Sequence, residues 1–198
     1  LVKTQRPIYA DLTVASLYQF ATVGDLDFKR SSLKETCEEQ NIVGTILLAT
    51  EGVNGTITGE YDCIQIVLDE IRGWQEITDL SVKYSTSKHE NFNRMKIKIK
   101  DEIVTMGVAS IDVPQRSGQY VEPKDWDEFI RQEDVVVIDV RNNYETSIGN
   151  FVNSVDPGTD NFRQFPDWAN EFHSRNRDRT NIKIAMYCTG GIRCEKAT

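Results

Sequence analysis

Hydrophobic and polar positions along the first half of the chain switch repeatedly between two periods. Residues 14–20, VASLYQF, have the composition of a strand, and DFKRSSLKETCEEQN over 27–41 predicts a helix stopped at Asn41, a residue that tolerates the left-handed conformation. IVGTILLAT (42–50) is a near-continuous apolar run and predicts a buried strand. EGVNGTITG (51–59) predicts that the chain doubles back through Asn54-Gly55, a pair suited to a tight hairpin turn. Ile64, Val67, Leu68 and Ile71 then fall at i, i+3, i+4 and i+7 on one helical face, with Gly73 placed to end the helix. LSVKY (80–84) returns to period two. The order β-α-β-β-α-β predicts a ferredoxin-like α+β domain, four antiparallel strands backed by two helices.

Downstream, KIKIK and EIVTM, joined at Asp101-Glu102, predict an added hairpin within 92–107, with Ile97 and Ile99 on one face and Lys96, Lys98 and Lys100 on the other. Segment 108–122, which includes VPQRSGQY, has the proline, glycine and polar content of a linker. The expected organisation is therefore a first domain over 1–107, a linker over 108–122 and a second domain over 123–198. The second opens with EPKDWDEFI, where Pro123 suits a first helical turn and Trp126, Phe129 and Ile130 form an apolar face. VVVIDV and IKIAMY read as all-apolar strands of a parallel sheet with helices between them, an α/β layer. In such sheets ligands bind at the carboxyl ends of the strands, which here are Asp139-Val140-Arg141 and Cys188.

Composition narrows the class. With 39% hydrophobic and 27% charged residues the chain is ordinary for a globular protein, and no apolar run approaches the roughly 20 residues needed to span a bilayer. The opening LVKTQRPIYADLTV lacks the features of a secretory signal, so a cytoplasmic location is expected. A net charge of −8 argues against indiscriminate nucleic-acid binding. Yet residues 83–100 hold Lys83, Lys88, Arg94, Lys96, Lys98 and Lys100 against one Glu, a candidate phosphate-facing surface. Lysines on an exposed strand also serve simply to block edge-to-edge aggregation. The four cysteines, at 37, 63, 188 and 194, are too few for a disulfide scaffold and form no paired zinc pattern, so no metal is expected. Cys37 and Cys63 fall in helical patterns and read as small buried hydrophobes.

Cys188 is different. A thiol becomes a strong nucleophile only as thiolate, which needs positive potential around it. Gly190 and Gly191 let the backbone turn with its N–H groups aimed inward, the following helix points its positive end at the loop, and Arg193 adds a formal charge. The sequence thus predicts an anion cradle with a sulfur at its base: Cys188 as nucleophile, with Thr189, Gly190, Gly191, Ile192 and Arg193 forming the loop. Asp139 and Arg141 either brace this loop, meet substrate or form a structural ion pair. Glu145 reads as a bracing partner. Cys194 reads as a resolving thiol for an oxidised or persulfidated Cys188, or as packing.

Cys188-Thr189-Gly190-Gly191-Ile192-Arg193 resembles the rhodanese active-site loop, and IDVRNNYE (138–145) resembles the upstream rhodanese signature. Four residues separate Cys from Arg, against five in cysteine phosphatases of related fold, so the ring suits a persulfide or another compact group. The longer string CTGGIRCEKAT, together with EGVNGTITG and FNRMKIKIKDEIVTMG, resembles the rhodanese-domain tRNA uridine hydroxylases, the TrhO family of the rhodanese superfamily. The resemblance covers essentially the whole chain. It implies a ferredoxin-like domain followed by a rhodanese-like α/β domain, C-terminally incomplete at Thr198. It also implies oxygen-dependent 5-hydroxylation of the wobble uridine of tRNA, with molecular oxygen as co-substrate and no other cofactor evident. The tRNA anticodon loop would be the partner, and Arg94, Lys96, Lys98 and Lys100 are the candidates to contact its backbone. The alternative is a rhodanese-type sulfurtransferase carrying a cysteine persulfide on Cys188. One departure from the rhodanese pattern is Asn150 in Ile148-Gly149-Asn150-Phe151, where many such domains have His.

Overall fold

The computed structural model describes residues 12–89, 91–108, 111, 113, 117–179 and 181–198. Most of LVKTQRPIYADLTV, and Pro114 to Arg116 of VPQRSGQY, lie outside the described residues. The chain divides into two compact units, Leu1–Ile103 and Val104–Thr198.

In the first unit the order is β1 (Leu12–Phe20), α1 (Leu26–Glu39), β2 (Val43–Ala49), β3 (Gly52–Gly59), α2 (Tyr61–Arg72), β4 (Ser81–Ser87) and β5 (Met95–Ile99). The sheet runs β4-β1-β3-β2-β5, with β1 antiparallel to β3 and β4, β2 antiparallel to β3, and β5 added parallel to β2. This is the expected ferredoxin-like arrangement extended by one strand. One sheet face packs Ala15, Leu17, Ile46, Leu48, Val53 and Ile57 against Leu33, Cys37, Ile64, Val67, Leu68 and Ile71 of the helices. Each of the large side chains contributes about 1.5–3 kcal/mol by leaving water. The helical periodicity read from 64–71 is borne out, since those four residues are fully buried. Asn41 takes φ 53° just beyond α1, the left-handed stop anticipated there.

Two local expectations fail. The turn between β2 and β3 is at Thr50-Glu51, and Asn54 and Gly55 lie inside β3, paired with Leu47 and Ile46. Gly55 is required for a different reason. A Cβ there would stand 2.7 Å from the Thr45 carbonyl oxygen and 2.9 Å from the Ile46 side chain, so the glycine lets neighbouring strands close. The predicted hairpin over 92–107 also forms only its first strand. Residues 102–106 make no strand, because the Ile103 backbone is claimed by side chains: its N–H donates to Glu51 Oε1 at 2.7 Å and its carbonyl accepts from Asn54 Nδ2 at 2.8 Å. Segment 108–122, read as a linker, is partly built into the second unit, where Ile111 packs on the core and Val113 is buried.

The second unit contains α3 (Pro123–Phe129), β6 (Val135–Asp139), α4 (Asn143–Thr146), a 3-10 turn (Phe162–Gln164), α5 (Phe165–Arg175), β7 (Lys183–Tyr187) and α6 (Ile192–Ala197). Pro123 occupies the first turn of α3, as its fixed φ favours. Strands β6 and β7 are parallel, in register from Val135↔Lys183 to Asp139↔Tyr187, and Val155 bridges to Ile138. Met106, Ile138, Val140, Phe162 and Phe165 form the core, with Trp168, Phe172 and Met186 against it. Burial of β7 on both faces is not observed: Ile184 is 46% exposed, and among the described residues β7 has a strand neighbour on one side only. The register has one consequence for chemistry. It sets the carboxyl ends of β6 and β7 side by side, so the segments following Asp139 and Tyr187 emerge together.

Candidate active site

Cys188 follows the last residue of β7, and the chain turns at once into α6. Gly191 makes that turn possible with φ 100°, a conformation costly for any residue with a Cβ. The turn directs the Gly191 N–H to Cys188 Sγ at 3.0 Å. Hydrogen bonds from the Cys194 thiol, and from the backbone N–H groups of Cys194, Gly191 and Arg193, overcome the opposing effect of burial and hold the Cys188 thiol at a pKa of about 5. The same contact pushes the Cys194 thiol up strongly, helped by burial, so the pair shares one proton with Cys194 as donor. Cys37 shows the contrast. Burial, with Glu70 and Glu38 nearby, raises it to about 12, as expected of an inert core thiol.

The sequence assigns Arg193 a formal charge for the cradle, and the structure places that charge against a carboxylate. Its guanidinium grips Glu145 through Nη1–Oε2 and Nη2–Oε1, both 2.7 Å, and also donates to the Thr189 hydroxyl at 3.2 Å. The Thr189 hydroxyl in turn donates to Glu145. Burial alone would raise the Glu145 carboxyl, but its bonds from Arg193, Thr189 and the Asn142 N–H hold it at about 2. The Asn142 N–H, just ahead of α4, donates to Glu145 Oε2 at 3.2 Å, so the start of α4 fixes the carboxylate that fixes the loop. What reaches the sulfur from Arg193 directly is its backbone N–H.

Asp139 is fully buried at the end of β6. Arg141 binds it bidentately, with Nη2–Oδ2 at 2.6 Å and Nε–Oδ1 at 2.9 Å, and the Tyr187 hydroxyl donates to Oδ2 at 2.6 Å. Desolvation opposes ionisation of Asp139, and the donors win, leaving its pKa below the ordinary value. Arg141 extends further to the Gly149 carbonyl at 2.6 Å and lies 5.3 Å from the centre of the Tyr187 ring. The Asp139–Arg141 ion pair therefore ties β6, β7 and the 149–151 segment into one wall. An open pocket of about 410 Å³ lies beside this wall, lined by Arg141, Asn150, Phe151 and Tyr187 together with Cys188 and Thr189. That volume suits a small ligand or a single base.

The structure thus gathers Cys188 through Cys194, Asp139, Arg141 and Glu145 into one site. Arg94, Lys96, Lys98 and Lys100 belong to the first unit and are exposed, with Arg94 preceding β5, Lys96 and Lys98 on it and Lys100 just past its end. Tyr187 and Phe151 were not singled out from the sequence. Tyr187 had one legible signal, its position as the last strand residue before the cysteine, but the register that sets it opposite Asp139 is a tertiary fact. Among the described residues no group of His, Cys, Asp and Glu is arranged to hold a metal ion, and no helix is long and apolar enough to cross a membrane.

Residues 12–103 match the UPF0176 acylphosphatase like domain. A tRNA uridine(34) hydroxylase of Agrobacterium fabrum is 48% identical over 194 residues, 96% of this chain and 60% of the relative. Those of Wolbachia pipientis from Culex pipiens and of the Wolbachia of Brugia malayi are 44% and 43% identical over 185 residues, each covering 93% of this chain and, respectively, 64% and 67% of the relative. The chain therefore spans between 60% and 67% of the length of these three curated relatives. Among solved structures, an acylphosphatase from Coxiella burnetii aligns at 19% identity with a TM-score of 0.36, over 44% of this chain and 94% of that one.

Proposed function

Since this chain belongs to the tRNA uridine(34) hydroxylase family, we propose that it serves the oxygen-dependent hydroxylation of the wobble uridine of tRNA at C5, with Cys188 as the nucleophile. The observation that supports this most is a thiol held at a pKa of about 5 at the edge of a pocket large enough to admit a base. At neutral pH such a thiol is predominantly ionised. Addition of the Cys188 thiolate to C6 of uridine moves the C5–C6 electron pair to C5 as an enolate through O4. Dioxygen then captures C5 as a hydroperoxide, a small-molecule thiol added from solution takes the distal oxygen and leaves as sulfenic acid, and loss of H5 with the Cys188 thiolate restores the double bond. Uridine, dioxygen and one thiol thus give 5-hydroxyuridine and one sulfenic acid, and the nucleophile is regenerated.

The wobble base sits in a single-stranded loop, so it can be splayed into a pocket without opening a duplex. Phe151 and Tyr187 offer it apolar surface beside the sulfur. Arg94, Lys96, Lys98 and Lys100 are the proposed contacts to the tRNA backbone. Sulfur transfer through a Cys188 persulfide is the competing chemistry, since the same cradle would hold it. High-resolution mass spectrometry of nucleosides from wobble-uridine tRNA, incubated in air and a small-molecule thiol with the protein or with Cys188→Ser, separates the two. The proposal expects 5-hydroxyuridine that disappears in Cys188→Ser. A thiolated uridine, or unchanged tRNA with persulfide on Cys188, would favour sulfur transfer. High resolution is needed because gaining oxygen and exchanging oxygen for sulfur give nearly the same nominal mass.

A further inference from the structure

The helices cover one face of the five-stranded sheet, and the register identifies what the other face presents. One row crosses every strand in the order Lys83, Ser16, Thr56, Thr45, Lys96. The next row is Ser81, Tyr18, Asn54, Leu47, Lys98. At about 4.8 Å per strand the first row is roughly 19 Å long, a band of three hydroxyls with an ammonium at each end. Ser16, Lys83, Lys96 and Lys98 are exposed, Thr56 and Thr45 are half-buried, and the Ser16 and Thr56 hydroxyls are 3.2 Å apart.

Charge is sorted across this unit. No position facing away from the helices in the paired segments of β1 to β5 carries Asp or Glu, in a chain with 31 acidic and 23 basic residues. On the opposite side, α1 and α2 hold seven carboxylates against four Lys or Arg. Protecting the sheet edges from aggregation explains a lysine on β4 and on β5. It does not explain why the whole face lacks carboxylates. A polyanion approaching this unit is repelled from the helices and attracted to the sheet.

We propose that the part of this face around the Lys83-to-Lys96 row, away from Asn54 where the chain crosses at Ile103, is a platform for the sugar-phosphate backbone of RNA. Lys83 grips phosphate from the β4 edge, Lys96 and Lys98 grip it from the β5 edge, and the hydroxyls of Ser16, Thr56 and Thr45 bond to the chain where it crosses between them. The inference rests on the tRNA reading above and extends it from one stripe of lysines to the full width of the sheet.

The test is binding of the 198-residue protein to a fluorescent anticodon stem-loop RNA over a range of salt concentrations. Ser16→Glu places a carboxylate in the middle of the row at an exposed site. It is expected to weaken binding about tenfold, and more than Ser16→Gln, which removes the hydroxyl without adding a charge. Lys83→Ser should weaken binding and reduce the salt slope by about one. Thermal melts followed by circular dichroism establish that each variant is folded, and Lys83→Ser, outside the core, carries the test if Ser16→Glu is not. Wild-type affinity in both Ser16→Glu and Lys83→Ser, with binding lost when Lys96, Lys98 and Lys100 are all changed to Ser, would overturn the platform and leave the tRNA reading standing. A wild-type protein that binds no RNA at any salt concentration would overturn both.

Discussion

At the residue scale, Cys188 and Glu145 are both acids held in their charged forms, for different ends. The Cys188 thiol is held low, which on the proposed reading readies it as the nucleophile. Its alkylation by iodoacetamide should rise with pH around a midpoint near 5, and at pH 7 it should be modified far faster than Cys37, whose thiol stays protonated. Cys194→Ala removes the thiol donor and should move that midpoint upward, which rate measurements on the purified variant would register. Glu145 is ionised so that the loop holds its shape. Its folded pKa lies below its unfolded value, so its contribution to stability is fully present above about pH 4.5 and is lost as pH falls toward 2. Glu145→Ala leaves Arg193 without its carboxylate in a mostly buried setting. It should cost about 3 kcal/mol in urea denaturation and raise the Cys188 midpoint as the loop loosens. Wild-type stability in that variant would show that the pair does not organise the site.

At the element scale, the site is a strand end, a turn and a helix start, and glycine conformation decides whether the turn closes. Gly191→Ala, at φ 100°, should destabilise the protein by about 1 kcal/mol and depress Cys188 reactivity more than that figure suggests, because the Gly191 N–H is one of the sulfur's donors. Gly55→Ala tests the corrected strand. If Gly55 serves close approach of β3 to β2, the added methyl meets the Thr45 carbonyl and costs about 1–3 kcal/mol, whereas at an exposed hairpin turn the cost would be slight. The elements most legible in the sequence were those with a strong period or a clear stop. The 64–71 helix, the Asn41 cap, Pro123 and the β7-to-loop junction were all readable there. Asn54-Gly55 misled because the same dipeptide suits a turn and a crowded strand, and only the cross-strand neighbours distinguish them. The 102–106 strand was lost to Glu51 and Asn54, side chains about 50 residues away in sequence that no local pattern reveals. The same limit explains the site. Cys188 and its loop stand out locally, whereas the Arg193–Glu145 pairing and the Tyr187–Asp139 bond span 48 residues each.

At the scale of the whole molecule, a chain of net charge −8 carries a lysine-edged sheet face and, in its other unit, a thiolate cradle whose Arg193 guanidinium is already paired. On the proposed reading these divide the labour, with RNA held by its backbone on one surface and a single base presented to the sulfur in a pocket. Affinity for tRNA should therefore fall steeply with salt and be unaffected by Cys188→Ser, while modification is abolished by that change. The central claim is that the Cys188 thiolate attacks the base itself. Its most direct test is to incubate the protein with tRNA carrying 5-fluorouridine at the wobble position, under nitrogen so that the adduct cannot proceed, and to look for a denaturant-stable protein–RNA species. The account predicts such a species, mapped by peptide mass spectrometry to Cys188 and missing in Cys188→Ser. Its absence from a wild-type preparation that still hydroxylates ordinary tRNA in air would contradict nucleophilic attack by this cysteine.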